Sequence, residues 1–280
     1  AVAFPHPRRG PWHYWWQAHL LDCLVDAQVR DPQPARLTRI ARQIRGHRIR
    51  NNGRWTNKYY DDMAWLALAL ERAGRLAGIE RPRALNSLGH QLVSSWVPED
   101  GGGIPWRKQD QFFNAPANGP AGIFLARYGD RLRRAQQMAD WIDETLIDPD
   151  THLVLDGIKA GSLVRALYSY CQGVVLGLET ELAMRTGEPR HLARVRRLVG
   201  AVATEMTDGK VLHGGGGGDG AAFGCDDPMA APIASAPRMP MAEPTRSAIT
   251  TTSKALPKVR RAPTTRRERM SRPRSSVPRK

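Results

Sequence analysis

The sequence predicts an all-α protein whose helices form a toroid or solenoid, and three observations support this fold class. Apolar segments of helical length alternate with amphipathic ones, and the pair recurs every 40 to 60 residues. Strand signals are nearly absent. Clusters of polar and aromatic residues stand at the starts of the apolar segments, which a ring of inner helices would bring together at one end. An ordinary helical bundle fits the same periodicity and is the alternative.

The predicted helices form four pairs, each with one helix that is apolar on most faces and one with a single apolar face. The apolar helices are predicted at residues 12–29, 59–77, 116–128 and 163–184. Their polar partners are predicted at residues 34–46, 82–97, 130–146 and 189–207. We expect an interruption of the third apolar helix at Gly119-Pro120, and a short extended excursion at 151–159.

Residue patterns at the first three predicted helices support their assignment. The first helix opens after Pro11 with a group of aromatic rings. In the second helix, Ile40 and Ile44 share one face and arginines occupy the rest, which is typical of a solvated outer face. The run from 63 to 70 is apolar on every face, as expected of an inner helix.

The net charge of +15 belongs mostly to the end of the chain. Residues 221–280 hold 13 Lys and Arg against 4 Asp and Glu, which leaves +6 for the first 220 residues. The same segment holds nine of the 21 prolines and one aromatic residue, so it buries too little apolar surface to offset its ordering entropy. We therefore expect a helical domain at 1–220 and a disordered basic tail at 221–280.

Two hypotheses explain this tail. It is either an out-of-frame translation of a GC-rich gene, or a genuine segment that binds nucleic acid or an anionic envelope polymer. Sequencing the locus in related strains separates them, because an intact frame with the same tail would exclude the first.

Composition excludes several function classes. The three cysteines have no metal-ligand spacing and are expected to be reduced thiols, and the eight histidines are scattered. The glycines at 214–218 lack the Lys-Ser/Thr ending of a phosphate-binding loop. We expect no metal, no cofactor and no nucleic acid on the helical domain, which should be a monomer if it folds.

No apolar run approaches the roughly 20 residues of a membrane span. Residues 1–10 do not read as a signal segment. The expected location is therefore the cytoplasm, or the exterior if an export signal precedes this sequence.

Adjacent carboxylates at Asp61 and Asp62 are the strongest chemical signal. Consecutive helical residues point about 100° apart, with side-chain roots roughly 5 to 6 Å from each other. Retaining glycosidases place their two carboxyl groups about 5 to 5.5 Å apart, and mutual repulsion keeps a proton on one of them. The alternative is a pair that only complements the helix dipole. Flanking rings favour the sugar site, because pyranose rings stack on aromatic faces; they are Trp55, Tyr59, Tyr60 and Trp65.

Several motifs between residues 12 and 220 together carry a resemblance to a known family. They are Trp15-Trp16-Gln17-Ala18-His19, Tyr59-Tyr60-Asp61-Asp62-Met63-Ala64-Trp65, Gly102-Gly103-Ile104-Pro105-Trp106, Asn114-Ala115 with Asn118, Tyr170-Cys171-Gln172-Gly173-Val174-Val175-Leu176-Gly177, and His213 with the glycines leading to Asp219-Gly220. With these motifs the sequence resembles the retaining endo-α-1,6-mannanases of glycoside hydrolase family 76, whose fold is an (α/α)6 toroid.

The resemblance implies a role for each matching residue. Asp61 would be the nucleophile that forms a mannosyl-enzyme intermediate, and Asp62 the acid that protonates the leaving oxygen and then activates water. Residues implied around an α-mannan substrate are Trp16, Tyr60, Trp106, Asn114, Asp156, Tyr170 and Gln172. Capping or packing is the alternative role for Asn114 and Gln172, and a turn position is the alternative for Asp156.

The predicted function is hydrolysis of α-1,6-mannosidic linkages with retention. The alternatives are a catalytically degenerate carbohydrate-binding protein and a mannan transglycosylase. Four of six helix pairs would expose apolar flanks that a closed ring covers, so we expect low stability or aggregation.

Overall fold

The computed structural model describes residues 12–98, 101–208 and 212. Its helices are α1 (Tyr14–Arg30), α2 (Pro34–Arg50), α3 (Tyr60–Ala77), α4 (Pro82–Ser94), α5 (Ala115–Arg127), α6 (Leu132–Thr145), α7 (Ser169–Thr186) and α8 (Pro189–Glu205). Its strands are β1 (Phe112–Asn114), β2 (Leu155–Lys159) and β3 (Ser162–Leu167). The predicted tail at 221–280 and the motif at His213 lie outside the described residues.

The helices form two layers. In the inner layer, α1, α3, α5 and α7 each pack against the next along the chain. In the outer layer, α2, α4, α6 and α8 each pack against the inner helix that precedes them. Within the described ranges, α1 and α7 do not pack extensively on each other, so the inner layer is an open arc. This confirms the predicted incomplete helical toroid of about four pairs.

Helix α5 lies in the middle of the arc and is buried from Ala115 through Ala126. It continues through Gly119 and Pro120 without the predicted interruption. Pro120 lies inside the helix, where its missing N–H removes one helical hydrogen bond. Gly119 allows α7 to approach closely, since a Cβ there would lie 2.6 Å from a methyl carbon of Val174.

A three-stranded antiparallel sheet in the order β1-β2-β3 corrects the expectation that strands are nearly absent. The predicted helix at 163–184 was wrong over its first residues, which form β3. Ala160 and Gly161 both have positive φ, 47° and 79°, and connect Lys159 to its partner Ser162. Two residues with positive φ are typical of a tight hairpin turn, so the chain reverses here and α7 begins only at Ser169.

The starts of α3 and α5 are joined through the loop that carries Trp106. The backbone N–H of Tyr60 donates to the carbonyl of Trp106 at 2.8 Å. Asn118 of α5 is fully buried, accepts from the N–H of Ile104 at 2.8 Å, and donates to the carbonyl of Ile104 at 2.9 Å. The loop is thereby fixed between two inner helices, with Trp106 beside the first turn of α3.

Candidate active site

Asp61 lies in the first turn of α3 and accepts two hydrogen bonds. Its Oδ1 accepts from the backbone N–H of Asp62 at 2.8 Å, and its Oδ2 accepts from the indole Nε1–H of Trp106 at 3.0 Å. Burial raises the pKa of Asp61, while these two donors act in the opposite direction. The carboxylate form therefore has dedicated partners although water is largely excluded.

Asp62 follows in the same helical turn and has a different setting, with only 7% of its surface exposed. Asn57 donates from Nδ2 to its Oδ2. The other end of this amide, Oδ1, accepts from the backbone N–H of Tyr59 at 2.9 Å. Because a backbone N–H can only donate, this contact fixes the amide with its NH₂ group towards Asp62.

The two aspartates differ in acidity. Burial raises the pKa of Asp62 first, and the charge of Asp61 raises it further. Asp61 has two donors that favour its charged form, so it ionises first and Asp62 retains the proton. The pair thus presents one carboxylate and one carboxylic acid from consecutive positions of one helix, as a nucleophile and a proton donor require.

Aromatic rings from three segments surround the pair. Tyr14 of α1 donates its hydroxyl to the carbonyl of Trp55. Burial raises the pKa of Tyr14, and the charge of Asp62 raises it further. The ring of Tyr59 meets that of Trp106 edge to face, with centroids 5.1 Å apart.

Sequence reasoning missed two residues of this site. They are Asn57, which precedes the carboxyl pair, and Tyr14, which is one of the rings in the first helix. For Asn57 the available signal was an amide a few residues before a carboxyl pair. For Tyr14 no sequence signal distinguishes the phenol from its neighbouring tryptophans.

Trp16, predicted around the substrate, lies on α1 with 43% of its surface exposed. Its ring contacts the ring of His13, with centroids 4.2 Å apart, and that of Trp15. Within the described part of the chain, no ring contact or hydrogen bond joins Trp16 to the two aspartates. Its contact with substrate stays a prediction.

Asp156 and Tyr170 form a second group with Cys171. Within the described ranges, no hydrogen bond joins this group to the aspartate pair. Burial raises the pKa of Asp156 to about 6. Its charge also adds to the burial that raises the pKa of Tyr170 and of Cys171. Tyr170 is 39% exposed, so this group reaches the surface.

Asn114 and Gln172 are engaged with backbone. Asn114 is 3% exposed and caps α5, accepting from the N–H of Ala117 at 3.1 Å. Gln172 is 2% exposed and bonds both the N–H and the carbonyl of Val154 at 2.8 Å. Of the two roles that the sequence left open for these residues, the bonds describe capping and packing; direct sugar contact stays an untested prediction.

The described ranges contain no group of three or more His, Cys, Asp or Glu residues that could hold a metal ion. None of the described helices combines the length and the apolar character needed to cross a membrane.

The sequence profile of glycosyl hydrolase family 76 matches residues 2–218. No curated protein sequence matches the chain. Among solved structures, the GH76A α-1,6-mannanase of Salegentibacter sp. HEL1_6 is 30% identical, with a TM-score of 0.68. That match covers 72% of this chain and 64% of the mannanase.

Two further structures are similar. One is an inactive variant of the same mannanase, in which two aspartates at consecutive positions are replaced by alanine, in complex with an α-1,6-linked mannotetraose. It is 29% identical over the same share of both chains, with a TM-score of 0.68. The other is the Lin0763 protein from Listeria innocua, 27% identical with a TM-score of 0.68, covering 77% of this chain and 66% of that one. Because the family profile spans most of the sequence, the chain belongs to glycosyl hydrolase family 76.

Proposed function

We propose that this chain hydrolyses α-1,6-mannosidic linkages by a retaining double displacement. The observation that carries the proposal is the asymmetric pair at the start of α3, in which Asp61 has donors for its charged form and Asp62 retains a proton. The substrate class is supported by the similar α-1,6-mannanase. Inactive variants of that enzyme, which lack two consecutive aspartates, were solved with α-1,6-linked mannooligosaccharides.

In the first step, an oxygen of the Asp61 carboxylate attacks the anomeric carbon of the mannosyl unit. Asp62 gives its proton to the glycosidic oxygen, and the bond from that oxygen to the anomeric carbon breaks. The Nδ2 of Asn57 donates to Oδ2 of Asp62, which leaves Oδ1 to carry the transferred proton. The products are a mannosyl ester on Asp61 and a shortened glycan.

In the second step, the roles of Asp62 reverse. As a carboxylate it removes a proton from water, whose oxygen attacks the anomeric carbon and releases the carboxylate of Asp61. The Trp106 indole and the Asp62 N–H stabilise the charge that returns to Asp61. Two inversions at the same carbon retain the anomeric configuration.

The test is hydrolysis of a defined α-1,6-mannooligosaccharide followed by NMR, in which the first product should have the α configuration. Asp61→Asn and Asp62→Asn should each lower kcat by at least about 100-fold. The exposed Asp150 offers a matched control as Asp150→Asn. A β product formed first would contradict retention, and unchanged turnover in both variants would exclude the pair as the catalytic groups.

A further inference from the structure

An open pocket of about 330 Å³ adjoins the aspartate pair, which is within the range of small-molecule sites. Its wall includes Arg54, Lys58 and Lys108 together with Asn51 and Asn57. Every residue that lines it is polar or basic, and none is a carboxylate. The composition therefore selects against a cation and offers only hydrogen-bond donors and neutral acceptors to a ligand.

The three cations of this pocket are unopposed. Arg54, Lys58 and Lys108 are exposed, and none forms an ion pair with another described residue. The neighbouring Arg107 contrasts with them, because its Nε pairs with Asp110 at 2.6 Å. Unpaired like charges around one concave surface create a positive potential that attracts anions.

The cations come from two segments that are fixed to each other. The backbone N–H of Lys108 donates to the carbonyl of Lys58 at 2.9 Å, which places the Trp106 loop beside the segment before α3. This bond continues the pairing between Tyr59 and Arg107. The backbone therefore holds Lys58 and Lys108 next to each other.

The pocket shares a residue with the catalytic pair. Asn57 lines the pocket and donates to Asp62, the proposed acid. The pocket and the proposed acid are therefore neighbours, with the side chain of Asn57 between them.

We propose that Arg54, Lys58 and Lys108 form an anion subsite that binds a phosphate or sulfate ester carried by the glycan, next to the bond that is cleaved. The inference rests on the proposed function for the identity of the glycan. It adds a preference for a charged substrate over plain mannan. Both esters present tetrahedral oxyanions, for which ammonium and guanidinium groups are the usual protein partners.

The experiment compares three forms of one α-1,6-mannan, which are neutral, phosphorylated and sulfated. For the full chain we expect kcat/KM to be at least about tenfold higher on a charged form than on the neutral one, the effect of one charge-assisted hydrogen bond. A double variant, Lys58→Gln with Lys108→Gln, should remove most of this preference. The control removes two exposed charges from outer helices, Arg83→Gln with Arg133→Gln, and should keep the preference.

A binding measurement makes failure of this proposal distinguishable from failure of the proposed function. Calorimetry with the three mannans uses the Asp61→Asn variant, with and without the lysine substitutions. A charge preference that depends on the lysines supports the subsite even if the wild type cleaves nothing. Equal affinity for all three mannans would overturn it, and so would equal loss of preference in the control variant.

The same assay tests a nonspecific basic surface. A short single-stranded DNA is added as a competitor of the charged mannan. If the DNA binds the pocket as tightly as the charged mannan does, the proposal of a glycan subsite is overturned. The phosphorylated and sulfated arms, compared with each other, identify which ester the pocket prefers.

Discussion

The indole Nε1–H of Trp106 donates to Oδ2 of Asp61 across 45 positions of sequence. This bond links the loop fixed by α5 to the first turn of α3. Burial raises the pKa of Asp61, and this bond opposes that rise, because a donor to a carboxylate favours the charged form.

Replacing Trp106 with phenylalanine should therefore change the pH dependence of activity. Without the donor, the pKa of Asp61 rises, and the acidic limb of the kcat/KM profile should move to higher pH by about one pH unit. The measurement is a pH–rate profile on an α-1,6-mannooligosaccharide. Trp96→Phe is the control, since Trp96 packs against Arg134 and should leave that limb in place. An unmoved limb in Trp106→Phe would separate this bond from catalysis.

Asn57 controls the other limb. Asn57→Ala removes the donor to Asp62 and should raise the pKa of that acid further. Because Asp62 acts in its protonated form, the alkaline limb should move to higher pH, by about one pH unit. Asn86→Ala, at an exposed position of α4, should not shift either limb. A shift to lower pH would mean that Asn57 stabilises the protonated form.

The acid at position 62 should cost stability. Burial raises the pKa of Asp62 to about 8 in the folded protein, so the folded protein binds the proton more tightly than the unfolded chain. Stability therefore falls as pH rises from the unfolded pKa of about 3.9 to the folded pKa. Asp62→Asn places a neutral amide where the folded protein must otherwise keep an acid protonated, and should raise the free energy of unfolding at pH 7 by about 1 to 3 kcal/mol. Chemical denaturation at pH 7 and pH 4 measures this.

The gain in Asp62→Asn should shrink towards pH 4, because the unfolded carboxyl group also binds a proton as the pH approaches its ordinary pKa of about 3.9. Asp150→Asn, at an exposed turn, should show no such pH-dependent gain. Lower stability of Asp62→Asn at pH 7 would contradict the prediction.

His47 should have the opposite pH dependence. It is 2% exposed against the rings of Trp12 and Tyr14, and neither ring nitrogen has a partner among the described residues. Burial lowers its pKa to about 4. Below about pH 6.5 the imidazole is protonated in the unfolded chain but stays neutral in the folded protein. This histidine therefore lowers stability as pH falls from 6.5 to 4.

The full effect of His47 corresponds to about 3 kcal/mol. His47→Phe should remove it, and the difference in unfolding free energy from wild type should grow steadily between pH 6.5 and pH 4. His90→Phe, at an exposed position, should follow the wild type. A difference that is constant with pH would show that His47 is not kept neutral by burial.

The helices could be predicted because each long apolar or amphipathic segment has a clear period. The strand β3 could not be predicted, because a run as short as Leu163 to Leu167 fits a helix and a strand equally well by its periodicity. The signal that decides it is the two-residue turn at Ala160 and Gly161, whose positive φ values are a property of the backbone.

The aspartate pair and Trp106 were both selected from sequence, but the bond between them depends on how a loop folds over a distant helix. Asn57 illustrates the same limit. Its proximity to Asp62 follows from the chain, yet the direction of its amide depends on the N–H of Tyr59. Contacts within a helical turn are local, whereas these orientations arise from tertiary packing.

Both proposed catalytic groups belong to a single half-turn of one inner helix. Relative movement of neighbouring helix pairs would leave the spacing of the two aspartates intact, because this spacing is set by the rise and rotation of the helix itself. Such breathing would instead alter the walls around them. Distortion of the scaffold should thus have little effect on the rate of turnover. It should have a larger effect on which ligand is bound.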